Sequence, residues 1–347
     1  MEHEEPQKIA RIIEQAQRIM VMQADNPDGD SLASALAMEQ ILGDLGKDVY
    51  LYCAIDMPAH LKHMPGWDRV NRDLPSQFDA SIIVDTSADS LFELLNKSGQ
   101  KGWVTAKPSI IIDHHAGEST MDWVSVRCFV PAVATGEVMY ELAQRLDWPL
   151  AHTTCEFLAS SILSDSLGLT TDATTARSIH IVAELVERGV SIAELENRRR
   201  ETFRKAPRIL SYKADLLKRI QYSVDGRVAT VDIPWEEIEA YSQEYNPSVL
   251  VLDEMRLVEG VDIAVAFKIY KDNRYTAKIR ANYGSPIGKA LAEHFGGGGH
   301  PYASGFKVQD GRPFNEIKSE CIAYAQELLD NLGKDSSDET LQHTYSI

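Results

Sequence analysis

The sequence predicts an α/β protein of two domains: a doubly wound, mainly parallel sheet first, then a smaller α/β domain with a mixed or antiparallel sheet. Three observations predict it. Over the first half, near-continuous apolar, β-branched runs alternate with helical segments, the pattern of strands buried on both faces between crossover helices. Beyond about residue 220 the strands change style and alternate residue by residue. A chain of 347 residues also exceeds the size at which one core usually stops growing. The reading places the first domain at 1–190, a helical linker at 191–220, the second domain at 221–332 and a loose acidic, polar tail at 333–347.

Each element has its own signal. A helix over 7–19 leads into a strand at 18–24 (RIMVMQA), and small and apolar spacing (SLASALAMEQILGDLG) predicts a helix over about 31–45 with Gly46 near its end. KDVYLYC, FDASIIVD and PSIIIID read as three further strands, and VSVRCFV as another. Residues 134–147 and 153–164 read as helices, and 176–220 as a long helical stretch. In the second half RVATVDI, DIAVAFKIY and RYTAKIRANY alternate, and the tight Lys271-Asp272-Asn273 turn predicts a hairpin between the last two. A helix (SPIGKALAEHF) and the run GGGGHPYASGF close this unit.

Composition narrows the function classes. Apolar residues at 44% and charged residues at 25% describe an ordinary globular protein. No apolar run is long enough to span a membrane, and the acidic, polar start MEHEEPQK is unlike a secretory signal. Cys53, Cys128, Cys155 and Cys321 are scattered without a CxxC pair, as expected for small buried residues in the cytoplasm. A formal charge of −17 argues against a partner such as duplex nucleic acid, which calls for a basic face. The one dense basic stretch, Arg198, Arg199, Arg200, Arg204, Lys205 and Arg208, reads either as the solvated face of a long helix or as a contact for a phosphorylated ligand.

The chemistry is concentrated at strand ends. Asp28 and Asp30 (in DNPDGD) follow the first strand, Asp85 ends the third, and Asp113-His114-His115 end the fourth. Ligands of open α/β sheets bind beyond the carboxyl ends of the strands, and carboxylates with imidazoles are ligands for hard divalent cations. Any one of these aspartates could be a turn or helix cap; six such residues at three strand ends exceed that explanation. An EF-hand is excluded because Leu36 occupies the twelfth position, and no nucleophile elbow supports a serine hydrolase. Asp165 sits at the end of a predicted helix, where a carboxylate opposes the helix dipole and a cationic partner is called for. Four consecutive glycines, Gly296 to Gly299, exceed what a helix cap needs and let backbone N–H groups approach an anion closely.

NPDGDS, Asp85, the DHH triplet, the Asp165 of SILSDSLGLTTD and the C-terminal GGGGHPYASG occur in the order found in the DHH phosphoesterases with a DHHA1 domain. Over roughly residues 7–310 the chain resembles that family, closest to its oligoribonuclease (nanoRNase) and pAp phosphatase branch. The resemblance implies a phosphoesterase that hydrolyses short nucleotides by two-metal-activated water. It implies Asp28, Asp30, Asp85, His114 and Asp165 as ligands of two divalent ions, manganese first and magnesium as the alternative, with Asp85 bridging. It makes His115 a hydrogen-bond donor or acid at the scissile phosphate, with Asp113 orienting the histidines. It further implies a substrate grip from Arg280, Gly297, Gly298, Gly299, His300 and Ser304 in a domain facing the metals, and a homodimer.

One position departs from that pattern. The family's first motif has a histidine four residues before the first aspartate, and here that position is Ala24; the aspartate that a related branch carries two residues before is Asn26. Either Asp25 or Asn26 supplies the missing ligand, or one metal is held weakly, or hydrolysis is lost and nucleotide binding kept. The alternatives to a short-nucleotide hydrolase are therefore a nucleotide-binding regulator with an impaired metal site and, against the charge balance, a single-strand exonuclease. Inorganic pyrophosphatase activity shares the metal motif but not the glycine-loop domain.

Overall fold

A computed structural model of the chain describes residues 4–115, 117–202 and 204–342, and these divide into two units, Met1–Arg204 and Lys205–Ile347.

The first unit runs α1 (Glu5–Gln15), β1 (Arg18–Met22), α2 (Gly29–Asp44), β2 (Asp48–Tyr52), β3 (Ala80–Val84), α3 (Glu93–Lys97), α4 (Lys101–Thr105), β4 (Ser109–Asp113), β5 (Val126–Phe129), α5 (Thr135–Leu146), α6 (His152–Asp165), α7 (Ala176–Glu187) and α8 (Ile192–Thr202). The five strands form a parallel sheet in the order β2-β1-β3-β4-β5. Every residue of β3 and β4 is buried, because helices cover both faces, which is why these strands read as continuous apolar runs. Alternate strand residues enter two cores: Ile19, Val21, Ile82 and Ile110 on the face covered by α2, α5 and α6, and Met20, Met22, Ile83 and Ile111 on the other. The chain leaves β1 toward β2 on one side and returns to β3 on the other. That reversal opens a crevice at the carboxyl ends of β1 and β3, where ligands of such sheets bind.

The second unit runs α9 (Pro207–Lys218), β6 (Gln221–Ser223), β7 (Val228–Ile233), α10 (Trp235–Tyr241), α11 (Pro247–Arg256), β8 (Ile263–Ile269), β9 (Tyr275–Ala281), α12 (Gly288–His294), β10 (Gly298–His300), β11 (Ala303–Val308) and α13 (Phe314–Gln342). Its sheet has the order β10-β11-β9-β8-β7-β6 and is mixed, since β7 and β8 pair in parallel while the other pairs are antiparallel. One face packs on α12 and α13, and the other, over β7 and β8, on α9 to α11.

Three elements differ from the sequence reading. The long helical stretch of 176–220 is three helices: Gly189 (φ +100°) follows α7 in the left-handed conformation that ends helices, and Pro207 begins α9. The tail beyond 333, expected to be loose, is helical to Gln342, and residues 343–347 lie outside the described residues. Ile317, Cys321, Ala325 and Leu329, four residues apart, bury one face of α13, and with no proline after Pro313 the backbone ladder propagates onward. The glycine run is not a free loop but enters a hairpin, with Gly298 opposite Gly305 and Gly299 opposite Ser304.

The hairpin explains two of the four glycines by space alone. A Cβ on Gly297 would stand 2.3 Å from the Gly305 carbonyl oxygen and 2.6 Å from Phe306 Cβ, and one on Gly299 (φ +133°) 2.6 Å from Ser304 Cα. Gly297→Ala is therefore expected to destabilise the protein by about 1–3 kcal/mol through overpacking against backbone. Urea unfolding followed by circular dichroism checks this, and an unchanged midpoint contradicts it.

Candidate metal centre

Three parallel strands deliver the acidic and imidazole groups to one edge of the sheet. Asp85 follows β3 directly and holds a left-handed backbone (φ +63°), a conformation that Asp tolerates better than most residues and that is common at functional sites. Asp113 ends β4, with His114 and His115 after it. Asp30 lies in the first turn of α2, and Asp165 is the last residue of α6.

These groups converge on one nitrogen. His114 Nε2 lies 3.7 Å from Asp30 Oδ2, 3.5 Å from Asp85 Oδ1 and 3.5 Å from Asp165 Oδ2. It is buried and has no hydrogen-bond partner among the described residues. The other ring nitrogen, Nδ1, lies 3.0 Å from the Ala132 carbonyl oxygen; only an N–H can donate there, which leaves Nε2 as the nitrogen able to offer a lone pair to a cation. Neighbouring ligands of one cation, each about 2.0–2.4 Å from it, stand roughly 3–3.5 Å apart. In each of two groups, Asp30–His114–Asp165 and Asp85–His114–His115, one ligand atom per residue lies within 4.8 Å of the others, a spacing that small shifts around a bound ion would tighten. Three carboxylates and an imidazole fit a hard divalent cation.

Hydrogen bonds fix the carboxylates before any ion arrives. Asp30 is fully buried; its Oδ1 accepts from Ser34 Oγ (2.9 Å) and Ser161 Oγ (2.5 Å), and its Oδ2 from the Thr135 backbone N–H (2.7 Å). Asp85 Oδ1 accepts from Thr135 Oγ1 (3.0 Å). The cluster nonetheless lacks positive charge. Burial, reinforced by Asp30 and Asp28, raises the Asp85 carboxyl well above the ordinary range, and the same causes push Asp165 up to about 7. Groups whose proton affinity is raised by mutual repulsion are those a cation relieves.

The DHH triplet divides its labour. Asp113 is fully buried; its Oδ1 lies 2.8 Å from His115 Nδ1, and its Oδ2 accepts from Ser87 Oγ (2.7 Å). Burial acts to raise the Asp113 carboxyl, but the bonds from His115 and Ser87 win and hold it below the usual range. That bond in turn raises the His115 imidazole against the opposing effect of burial. The His115 side chain is 59% exposed, so its ring reaches solvent while its Nδ1 stays fixed.

The remaining expected residues fall as follows. Asp28 caps α2, its Oδ1 accepting from the Ser31 N–H (3.0 Å); it lies outside both groups of ligand-distance atoms yet contributes to the field on Asp85 and Asp165. Ala24 is buried and offers no ligand. Asp25 lies outside both groups of ligand-distance atoms: its Oδ2 accepts from the Leu94 N–H (2.7 Å) at the start of α3 and its own N–H donates to the Leu91 carbonyl (2.9 Å), while its Oδ1 is buried without a hydrogen-bond partner among the described residues. Asn26 is exposed. In the second unit, Arg280, Ala303 and His300 stand opposite one another across three strands, and the Arg280 guanidinium donates to the Ile279 carbonyl. Ser304 Oγ is spent on the Gly288 carbonyl (2.6 Å), and Gly298 alone of the named glycines has open space around it. Arg198, Arg199, Arg200, Arg204 and Arg208 are each paired with a glutamate, in keeping with a solvated face.

Sequence reasoning missed the supporting groups. Thr135, Ser34 and Ser161 were legible only as small residues on helices, and Ser87 only as the residue two after Asp85. Arg127 carried a signal, being a charged residue inside the strand run VSVRCFV. Its guanidinium donates to the Gly117 and His115 carbonyls and to Ser87 Oγ, tying down the backbone after the triplet.

Residues 18–164 match the DHH family, N-terminal domain. The bifunctional oligoribonuclease and PAP phosphatase NrnA of Bacillus subtilis is 21% identical over 307 residues, covering 87% of this chain and 92% of that protein. The protein of the same description from Thermus thermophilus is 25% identical over 280 residues, covering 81% of each. The crystal structure of an exopolyphosphatase-related protein from Bacteroides fragilis shares the fold, with a TM-score of 0.80 at 19% identity over 95% of this chain and 98% of that one.

A pH signature follows for the metal-free protein. The unfolded pKa of an aspartate is about 3.9 and Asp165 stands at about 7 when folded, so the folded state holds the proton more tightly. Its contribution to stability is full below about pH 4 and is lost as pH rises toward 7. Bound cations must displace that proton. The rise in Tm on adding manganese is expected to grow between pH 5.5 and 8; scanning calorimetry checks this, and a pH-independent rise contradicts it.

Proposed function

Starting from the DHH-family domain over residues 18–164, we propose that this chain is a manganese-dependent phosphoesterase of short nucleotides: RNA fragments of a few residues, pAp, or linear and cyclic dinucleotides. A hydrolase of the DHH type is the level that the family and its relatives support directly. The observation that carries the finer reading is the unpartnered His114 Nε2 among the oxygens of Asp30, Asp85 and Asp165. The relatives' description as oligoribonucleases and PAP phosphatases supports the choice of substrate.

Asp30, Asp85, His114 and Asp165 would hold one divalent ion, and Asp28 with Asp85 a second. With Ala24 silent and Asp25 outside both groups of ligand-distance atoms, the second would be held by fewer groups. When bound, the ions supply the positive charge that draws the phosphate oxygens in and lets water attack phosphorus near neutral pH. The chain's own residues do the rest. His115, its Nδ1 fixed on Asp113 and its proton affinity raised by that bond, would turn Nε2 toward a phosphate or leaving-group oxygen and donate a proton there. Arg280 and His300, two strand spacings or about 10 Å apart with the small Ala303 between them, would grip a second phosphate or the sugar. A phosphate already bound positions the one to be cleaved. The four buried free cysteines and the absence, among the described residues, of a helix long and apolar enough to cross a membrane support a cytoplasmic setting. We further propose a homodimer, in line with the two-domain organisation.

Ala24, and the absence of Asp25 from both groups of ligand-distance atoms, favour one second reading, a nucleotide-binding regulator without turnover. A panel of pAp, pApA, cyclic di-AMP, pyrophosphate and a 24-nucleotide RNA, incubated with manganese, separates the two. Turnover of the short nucleotides is expected, falling at least roughly 10³-fold in Asp85→Ala and about 10²–10⁴-fold in kcat in His115→Gln. Binding without turnover of any member supports the regulator, and activity surviving Asp85→Ala removes the assigned site.

A further inference from the structure

The first unit holds a cavity that the metal chemistry does not use. It measures about 670 Å³ and opens between α6, α8 and the loop joining β2 to β3, and every residue lining it belongs to the first unit. That volume lies within the range of small-molecule sites, about 300–1,000 Å³. α6 presents Phe157, Ser160 and Ser164 to the cavity, three and four residues apart on one stripe, whereas Asp165 is directed at His114. The cavity and the metal centre share a wall at Gly29 and Ser164, but none of Asp28, Asp30, Asp85, His114, His115 and Asp165 lines it.

The lining combines an apolar floor with a basic rim. Leu61, Met64 and Phe157 are buried residues of the floor, and Leu195 on α8 is half-buried beside them. At the mouth, Leu167 is 72% exposed and Ile192 40%, apolar surface that water covers at a cost. Leu167 and Leu169 (φ +49° and +68°) flank Gly168 (φ +74°) in left-handed backbone. Bulky residues rarely adopt that conformation, and such strain collects at ligand clamps. The charged groups of the lining are Arg198, Arg199 and Arg200 against Glu156 and Glu196. Three arginines on two glutamates leave one positive charge in excess, in a chain whose net charge is −17. His60 and His63 join the same rim. Burial, followed among the charges by Arg199, His60 and Arg198, lowers the proton affinity of the His63 imidazole, so these cations act on the side chains of the cavity itself.

We propose that this cavity is a binding site for a small amphipathic anion, an apolar body carrying one carboxylate or sulfonate group. The body would replace water over the floor and cover Leu167 and Ile192. The anionic group would stand at the rim beside Arg199, Arg200 and His63. Charge complementarity fixes the sign of the ligand: a cation would meet the excess positive charge, and a neutral molecule of the same shape would forgo the attraction. The site is independent of the hydrolase reading, because no residue lining it is a proposed metal ligand or substrate contact.

The test is a fluorescence titration of the full-length protein with anilinonaphthalene sulfonate, an apolar fluorophore with one sulfonate, followed by displacement with decanoate and with decanol. Saturable binding is expected, with decanoate displacing the dye at concentrations at which decanol does not. Ser160→Phe places a ring in the cavity from a half-buried position and should weaken the dye at least roughly tenfold. Arg199→Gln/Arg200→Gln, at exposed positions, should weaken both dye and decanoate roughly fivefold. Arg280→Gln in the second unit should change neither. Circular dichroism verifies that the variants fold, and the arginine double variant carries the test if Ser160→Phe does not. Unaltered dye affinity in a folded Ser160→Phe or in the arginine double variant, or displacement by decanol as effective as by decanoate, overturns the site.

Discussion

The first unit is organised around a repulsion. Asp30, Asp85 and Asp165 point at one buried nitrogen, His114 Nε2, and Asp28 adds to their field. Carboxylates gathered this closely resist ionising together, so the fold must hold them against their own preference. It does so with hydrogen bonds that neutralise nothing but orient everything: Ser34, Ser161 and the Thr135 backbone on Asp30, and the Thr135 hydroxyl on Asp85. The helices carrying these donors, α2, α5 and α6, form one packed face of the parallel sheet. Gly29 and Gly136 allow α6 to approach, since a Cβ at either would stand 2.0 or 2.2 Å from Ser164 or Ser161. Core packing and site geometry are therefore the same constraint seen from two sides.

Much of this was legible in the sequence. Apolar β-branched runs gave the parallel strands, and the strand ends then placed Asp30, Asp85, Asp113 and His114 together because ligands collect at carboxyl ends of such sheets. Asp165 was placed by its position at a helix end. What stayed hidden depends on contacts between segments far apart in the chain. The Ser161 bond to Asp30 spans 131 residues and the Thr135 bond 105, and no local pattern announces them. The glycine run misled for a related reason: its need for glycine comes partly from the backbone of β11 packed against it, which periodicity does not reveal. Helices α10 and α11, and the short β6, left no distinct signal.

The missing histidine sharpens the account. Sequence alone left Asp25 or Asn26 as a replacement for what Ala24 cannot supply, beside a weakly held metal or lost hydrolysis. In the structure one Asp25 oxygen accepts from Leu94 and Asp25 lies outside both groups of ligand-distance atoms, so of the two proposed ions the one beside Asp28 would be held by fewer groups than the one among Asp30, Asp85, His114 and Asp165. That asymmetry is a property of this chain's own residues and sets how strongly each ion would be held.

Titration of the metal-free protein with manganese, followed by the loss of the free-ion paramagnetic resonance signal, addresses this most directly. Wild type is predicted to bind one ion tightly and a second much more weakly, His114→Ala to lose the tight ion, and Ala24→His to tighten the weak one. Tight binding that survives His114→Ala would contradict the account.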